Sequence, residues 1–419
     1  MDPIKHSAVL SLTFCLLLIP VFLSADPGPG DIFREYHYAD GRGIHLCKQG
    51  ASRDSADFYI HVDDLEGAIR AEITGFFHTG HIGTSERRIR VNGKGWIDLP
   101  FVQVPGGRSE CYFTHLFGRP SSPIALEDLH EGENRFTLHV GPQICHAFNW
   151  PCCGFHCFVL RVYYGVSKPH PEGIIEYPPD NHVITNDELM IKTKCTSTNA
   201  ALASVDIVGH YFDYPFEGSG RYRDWHYMID EFGRWYSFID RRKRSPYIET
   251  WDLKWVPDQS EPMKLMARLT DASGISFMTP AVENLILRRE SRSVRMYRAT
   301  DVPENFKVRV GETKKCRFEP VTDDLGSADG VRLVSITCMG HMENKYLTHC
   351  GINDVILKQY ALLPDLHSDF WYDTCLPVDA GLLKPGVNEF FVHSNTEGHM
   401  TEVCWPGPAL LVSYELPAE

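Results

Sequence analysis

The sequence predicts an all-β protein built from three β-sandwich domains. Apolar residues alternate with polar ones in short runs such as DFYIHV, FVLRVYY and MKLMARLTD, which is the period of a strand with one buried face. Gly, Pro, Asn and Asp separate these runs, and little of the chain has helical periodicity. In addition, GENRFTLHV (132–140) recurs as GVNEFFVHS (386–394), which indicates an internal repeat.

The N-terminal stretch predicts a signal peptide over residues 1–25. Lys5 and His6 precede an apolar run from Ala8 to Leu23, which is short for a membrane span, and small residues near Ala25 suit cleavage. The alternative, a buried N-terminal helix, is disfavoured because DPGPGD follows at once. We therefore expect a secreted or extracellular protein without membrane insertion.

Length and charge narrow the possible functions. A chain of 419 residues is too long for one typical core, so two or three domains are expected. The formal net charge of −14 argues against nucleic acid and anionic membranes as partners, since both require a basic surface. This charge is compatible with polysaccharide or glycan partners and with extracellular protein partners.

The cysteine count agrees with export. The chain has 13 cysteines, and one of them, Cys15, lies in the predicted signal peptide, which leaves an even number. An even set in an exported protein predicts disulfide bonds, with Cys195 the expected free thiol. The run CHAFNWPCCGFHC fits no common zinc-finger spacing, so bridges are favoured there over zinc.

The repeat extends well beyond the opening phrase. GAIRAEITGFFH aligns with GVRLVSITCMGH, and PIALEDLHEGENRFTLH aligns with PVDAGLLKPGVNEFFVH, both without gaps. Ordered matches that differ only in loop length predict two copies of one domain. Pro-rich and charged joints separate these copies from a middle block. The predicted domains cover residues 30–168, 172–290 and 295–417.

The two copies resemble the galactose-binding-like jelly roll that is common among carbohydrate-binding modules. The resemblance rests on RRIRVNGKGWIDLP and on the pattern Leu129…Gly132-x-Asn134-x-Phe136, in which Gly and Asn turn the chain and Phe enters the core. The resemblance implies a jelly-roll fold for both copies. It implies sugar binding only in general terms, because the motif says little about the ligand.

The middle block resembles the immunoglobulin-like modules of secreted bacterial polysaccharide-processing proteins. PPDNHVITNDELMIKTKC, ASVDIVGHY and MKLMARLTDASG carry this resemblance, which implies a second type of β-sandwich. Cys195 has no second cysteine within the block, so the inter-sheet disulfide of antibody domains is absent. Residues 213–248 depart from the family pattern and predict an elaborated loop.

Three tryptophans and two histidines are candidate ligand-binding residues. Exposed indoles stack on the apolar faces of sugar rings, although anchoring a loop in the core is the commoner use. His139 and His393 follow core phenylalanines at the opposite strand parity, so they point away from the core. The tryptophan candidates are Trp96, Trp150 and Trp405.

The segment GSGRYRDWHY concentrates Arg221, Arg223, Trp225, His226 and Tyr227. A polysaccharide lyase would use such residues to neutralise a uronate and to move protons. The same residue types also form binding hot spots. A third interpretation, which we favour slightly, is a clamp that packs against a neighbouring sandwich and fixes the angle between domains.

Metal and catalytic chemistry have little support in the sequence. His78 and His81 have the most metal-like spacing, but a strand or loop does not aim both rings one way, so packing roles are favoured. No motif supports structural calcium, and no common catalytic motif is present. We therefore expect no metal or cofactor.

Taken together, these features favour a secreted, non-catalytic carbohydrate-binding or surface-attachment protein. One alternative is a polysaccharide-processing enzyme, either a lyase or a hydrolase. Another is a structural component of the extracellular matrix. The fold resemblance carries most of this preference.

Overall fold

The computed structural model describes residues 26–38, 43–46, 54–78, 86–99, 121–141, 153–197, 200–230, 233–303, 306–339, 348–360, 370–395 and 401–417. In this part of the chain, thirty β-strands and three 3-10 helices of three residues each form the secondary structure. The all-β fold class is thus confirmed. The predicted signal peptide lies outside the described residues.

The first segment, residues 26–168, forms two facing sheets. In one of them the strand order is β1-β9-β4-β7, and in the other it is β3-β8-β5-β6. The strands are β1 (Ile32–Tyr38), β2 (Ile44–Leu46), β3 (Ser55–Val62), β4 (Ala68–His78), β5 (Arg88–Val91), β6 (Ile97–Asp98), β7 (Ser122–Ile124), β8 (Gly132–His139) and β9 (Cys153–Tyr164), with a 3-10 helix at Leu126–Asp128. Alternate side chains of both sheets meet in one core, which includes Phe58, Phe136 and Phe158.

The middle segment, residues 172–290, has its own hydrophobic core around Ile191, Ile207 and Leu265. Its strands are β10 (Glu172–Tyr177), β11 (Val183–Ile184), β12 (Glu188–Ser197), β13 (Leu202–Phe212), β14 (Arg223–Ile229), β15 (Trp235–Ser237), β16 (Asp240–Arg242), β17 (Ile248–Asp252), β18 (Met263–Asp271), β19 (Ile275–Met278) and β20 (Val282–Leu287). Strands β10, β12 and β17 form a three-stranded sheet opposite the larger sheet that contains β13 and β18.

The first and middle segments share one continuous sheet. Strand β1 pairs with β19 in antiparallel register, with Phe33 opposite Ser276, so two edge strands complete each other's hydrogen bonds. The sequence predicted separate sandwiches here, because periodicity reveals which face of a strand is buried but not which strand lies beside it.

The third segment, residues 292–417, repeats the plan of the first. Its strands are β21 (Arg292–Arg298), β22 (Lys307–Val308), β23 (Glu312–Arg317), β24 (Ala328–Met339), β25 (Thr348–Ile352), β26 (Val355–Tyr360), β27 (Phe370–Val378), β28 (Glu389–Ser394), β29 (Thr401–Val403) and β30 (Ala409–Glu415), with 3-10 helices at Leu325–Ser327 and Ala380–Leu382. The order β21-β30-β24-β27 matches β1-β9-β4-β7, and β23-β28-β25-β26 matches β3-β8-β5-β6.

The repeated Gly-x-Asn phrase forms the same buried turn in both segments. Asn134 is fully buried; its Nδ2 donates to the His130 carbonyl at 2.7 Å, and its Oδ1 accepts from Asn92 Nδ2 at 2.9 Å. In the third segment, Asn388 Nδ2 donates to the Lys384 carbonyl at 2.9 Å, and its Oδ1 accepts from Asn353 Nδ2 at 2.8 Å. These equal bonds are what two copies of one domain would have.

A buried ion network links the first segment to the middle one. Glu35 accepts hydrogen bonds from Arg161 and from Arg268, each at 2.8 Å, and all three side chains are buried. Burial alone would raise the pKa of Glu35, but the two guanidinium groups outweigh it and lower the pKa to about 2. The carboxylate therefore stays ionised inside the protein and holds β1, β9 and β18 together.

Six of the described cysteines have no disulfide, which corrects the expectation that most cysteines are bridged. Cys195 was expected to be free, but Cys157, Cys316, Cys350, Cys375 and Cys404 were not. Four of these five side chains are buried and act as small apolar residues in the cores, which explains their positions without a bridge. Cys375 is instead exposed.

Candidate functional site

The outer face of the β3-β8-β5-β6 sheet carries an exposed aromatic and polar surface, which we call the Trp96 platform. Inward side chains of these strands fill the core, so their neighbours at the alternate parity point away from it. The platform consists of Asp57, Tyr59, Arg90, Trp96 and His139. Trp96 and His139 were predicted from the sequence, and the fold brings them together.

The indole of Trp96 lies in contact with two neighbours. The Arg90 guanidinium carbon is 4.6 Å from the centre of the indole, and the His139 ring centre is 5.6 Å away with a 45° tilt. Even so, 42% of Trp96 remains exposed. The cation–π contact and the ring contact hold the indole in place while the rest of it stays in water.

His139 is itself positioned from two sides. Its Nδ1 lies 3.0 Å from Ser55 Oγ, and its Nε2 lies 3.8 Å from Glu86 Oε2. Arg88 stands opposite His139 on β5 and forms an ion pair with Asp98 at 3.1 Å. The histidine therefore supports the platform and offers a polar edge beside the indole.

Three platform residues, Asp57, Tyr59 and Arg90, were missed by sequence reasoning. Asp57 accepts a hydrogen bond from Thr137 Oγ1 at 2.6 Å, and Tyr59 is 49% exposed opposite Arg135. Their signal was available in the run SADFYIHV, where polar and aromatic residues alternate with core residues. Arg90 was also missed, because strand parity does not show that it would contact Trp96.

The predicted cluster at residues 221–227 does not converge on one site. His226 and Tyr227 are 2% exposed and point to opposite sides of β14, while 43% of the Arg221 side chain is exposed. Arg223 lies beside Gln259 and Glu261. Alternate residues of a strand point to opposite faces, so side chains that are adjacent in the sequence lie on different sides of the strand.

Trp225 and Tyr227 instead lie at the contact with the first segment. Trp225 packs on a cluster that contains Phe33 and Tyr163, and the Tyr227 hydroxyl donates to Asp26 at 2.5 Å. Tyr227 also stacks on Trp235, with ring centres 3.8 Å apart. These contacts match a clamp between segments, whereas ligand binding by these two residues would require both to be uncovered.

Trp405 and His393 are also placed differently from a sugar platform. Trp405 is half-buried on the third core, and its indole lies so close to Gly220 that a Cβ there would be 2.0 Å from Nε1. His393 hydrogen-bonds Thr313 at 2.8 Å and stacks near His349. Trp150 and His81 lie outside the described residues, as does the side chain of His78.

Two absences among the described residues concern metals and membranes. Within these ranges, no group of three or more His, Cys, Asp or Glu side chains could hold a metal ion. In the same ranges, no helix has the length and apolar character that crossing a bilayer requires.

No protein-family model and no curated protein matches this chain. Among solved structures, it is similar to a β-porphyranase of glycoside hydrolase family 86 from Bacteroides plebeius, with 12% identity and a TM-score of 0.23 over 61% of this chain. The chain spans 38% of that protein's length.

Two other structures match over most of their length. A DUF4785 family protein from Legionella pneumophila has 11% identity and a TM-score of 0.25, with 99% of this chain and 90% of that one covered. PNGase F, a glycosylasparaginase from Flavobacterium meningosepticum, has 8% identity and a TM-score of 0.22, with 91% and 96% covered. At these scores the likenesses establish no shared activity.

Proposed function

We propose that the protein is an exported, non-catalytic carbohydrate-binding protein that holds a polysaccharide or glycan on the Trp96 platform. The observation that carries this proposal is the exposed Trp96 indole beside Arg90 and His139. Leaving an indole in water costs roughly 25 cal/mol for each Å² of apolar surface, and a ligand that covers it recovers this free energy.

A sugar chain matches the chemistry of the platform. The apolar C–H face of a pyranose stacks on an indole, while its hydroxyl groups find donors in Arg90 and Arg135 and an acceptor in Asp57. Four strands at their usual spacing make this face about 14 Å wide, so it accommodates several sugar rings. The acidic chain as a whole would repel polyanions, which favours neutral glycans.

Two of the carboxylates on this face have structural partners. Asp57 is bonded to Thr137, and Asp98 is paired with Arg88. A glycosidase requires one carboxyl group as acid and a second as base or nucleophile across the scissile bond. The pairing of these carboxylates favours a structural role for them.

The test is a glycan array followed by affinity electrophoresis with the best neutral ligand. Trp96→Ala is expected to lower affinity by about ten-fold or more, since a central aromatic anchor is a typical hot spot. The matched control is Tyr236→Ala, because Tyr236 is also an exposed aromatic residue, at 54%, but lies on β15 of the middle segment. Equal affinities of Trp96→Ala and the unchanged protein would contradict the proposal.

Two assays separate the proposal from its alternatives. Release of reducing ends or unsaturated products from the bound glycan would assign the protein to the polysaccharide-processing enzymes. Absence of binding to every glycan would favour a structural matrix component. Export is tested by N-terminal sequencing of the protein from culture medium, where removal of about the first 25 residues is expected.

A further inference from the structure

A cavity of about 310 Å³ lies between the middle and third segments. Tyr211, Asp213 and Trp255 line it from the middle segment, while Arg332 and Cys375 line it from the third. This volume is at the small end of ligand pockets, so it suits a single ring-sized molecule. It lies in different segments from the Trp96 platform and shares no residue with it.

The deepest charges of the cavity neutralise each other. His226 Nδ1 lies 3.2 Å from Glu217 Oε2, and its Nε2 lies 3.0 Å from the Tyr211 carbonyl oxygen. Both partners are acceptors, so both ring nitrogens carry protons and the imidazole is charged. Burial lowers the pKa of His226, but Glu217, Asp213 and the Tyr211 carbonyl together outweigh burial, and the pKa is raised.

Two further lining residues, Asp213 and Arg332, carry opposite charges. Asp213 accepts the backbone N–H of Tyr214 at 2.7 Å. Burial raises the pKa of Asp213 to about 6, so it is mostly ionised at neutral pH. Asp252 lies at the solvent-exposed side. Because the interior charges cancel, neither an anion nor a cation is favoured inside.

Aromatic walls complete the lining. The Arg332 guanidinium carbon lies 4.2 Å from the centre of the Trp255 ring and fixes this indole. Tyr211 and Trp251 meet edge to face, with ring centres 4.8 Å apart. Trp255 Nε1 is buried and has no hydrogen-bond partner among the described residues. Aromatic faces combined with one acceptor and several donors are the contacts that a hydroxylated ring requires.

We propose that this cavity is a second ligand site, which binds one neutral hydroxylated ring of the monosaccharide class. Asp213 accepts a ligand hydroxyl, Arg332 donates to another, and Trp255 covers the apolar face of the ring. Residues of two segments line the site, so a bound ring contacts the middle and third segments together.

Cys375 reports on the occupancy of the cavity. Its thiol is exposed, lines the cavity and lies 3.8 Å from Arg332 Nη1. The full-length protein is alkylated with iodoacetamide in D-galactose, D-glucose or N-acetyl-D-glucosamine, and peptide mass spectrometry follows each cysteine. At least one sugar is expected to slow Cys375 alkylation about ten-fold when its concentration is about ten times its Kd.

Internal controls make the experiment specific. Cys195 is partly exposed and its thiol donates to the Ser197 carbonyl, away from the cavity, so its alkylation rate is expected to stay unchanged. Choline and succinate, as charged probes, are expected to leave Cys375 unprotected. Protection by choline or succinate alone, or by none of the three sugars, would overturn the proposal.

Two variants separate this site from the platform. Asp213→Asn is expected to weaken sugar protection of Cys375 about ten-fold, because it removes a charged acceptor. Trp96→Ala is expected to leave this protection unchanged even where it abolishes glycan binding on the platform. Loss of Cys375 protection in Trp96→Ala would show that the sugar acts from the platform, and the cavity proposal would fail.

Discussion

The two four-stranded outer sheets, β3-β8-β5-β6 and β23-β28-β25-β26, have the same strand order but different exposed faces. In the first sheet, Thr137 and Arg90 are paired, and Arg90 contacts the exposed Trp96. In the third-segment sheet, Phe391 and Gly351 occupy the paired positions, and the phenylalanine ring lies over the glycine.

This exchange of large and small residues decides which face exposes an aromatic side chain. A small Thr137 leaves room for the Arg90 side chain and the indole beyond it. The Phe391 ring is 7% exposed and fills the same space in the third segment, next to the ion pairs of Lys315 with Glu389 and Asp354. Two segments with the same fold can therefore keep similar cores and present different outer faces when two outward residues differ.

The largest expected effect is the loss of stability when Gly351 is substituted. A Cβ on Gly351 would lie 1.9 Å from the Val355 carbonyl oxygen, so Gly351→Ala must displace backbone and should cost about 3 kcal/mol. Arg90→Ala, at the corresponding position of the first sheet, should lower the free energy of unfolding by only about 0.5 kcal/mol. Hydrogen exchange of the β25–β26 and β5–β6 peptides measures both, and equal effects would contradict the comparison.

The second prediction concerns the buried asparagine turn that the two sheets have in common. Asn134→Ala and Asn388→Ala each leave several buried backbone and side-chain groups without partners, so each should cost about 2 kcal/mol. Urea unfolding followed by hydrogen exchange assigns each loss to its own segment. Similar values support equivalent turns, whereas a loss confined to one variant would break the correspondence.

The third effect concerns binding. The double variant Arg90→Gly/Thr137→Phe imports the third-segment pair into the first sheet and should lower glycan affinity about ten-fold by removing the support of Trp96. Ile356→Ala is the control, since Ile356 is 47% exposed on β26, in the corresponding sheet of the third segment. Unchanged affinity in the double variant would show that Arg90 does not hold the platform.

The smallest effect is a pH dependence in the third segment. Burial, and then the nearby His393, lower the pKa of His349 below its usual 6.5. As pH falls through 6.5, the unfolded chain therefore gains a proton that the folded sheet resists, and stability decreases. His349→Gln should flatten this decrease in urea unfolding, and His393→Gln should flatten it in part. A steeper decrease in either variant would refute this explanation.

Strand periodicity predicted much of the fold and part of the site. The run ENRFTLH alternates core and surface residues, and Phe136 is indeed buried while His139 lies on the outer face. Trp96 was identified by residue type alone. Its neighbour Arg90 was not, because their contact depends on the pairing of β5 with β6, which periodicity does not specify.

The interpretation of residues 221–227 failed as a single site for a related reason. The segment was treated as one loop, but Arg223–Ile229 is a strand, which sends Trp225 and Tyr227 to one side and His226 to the other. The cavity residues Asp213 and Arg332 are far apart in the chain. Neither local sequence indicates that these two side chains line the same cavity.

The sequence by itself determined the all-β class, the core parity and the repeated phrase with its two buried asparagines, because these depend on residues close together in the chain. The tertiary structure alone decided that β1 joins β19, that Arg90 supports Trp96, and that two segments enclose a cavity around Asp213. Contacts of this kind arise from packing between distant strands, and their free energy depends on shape and charge at surfaces that meet only after folding.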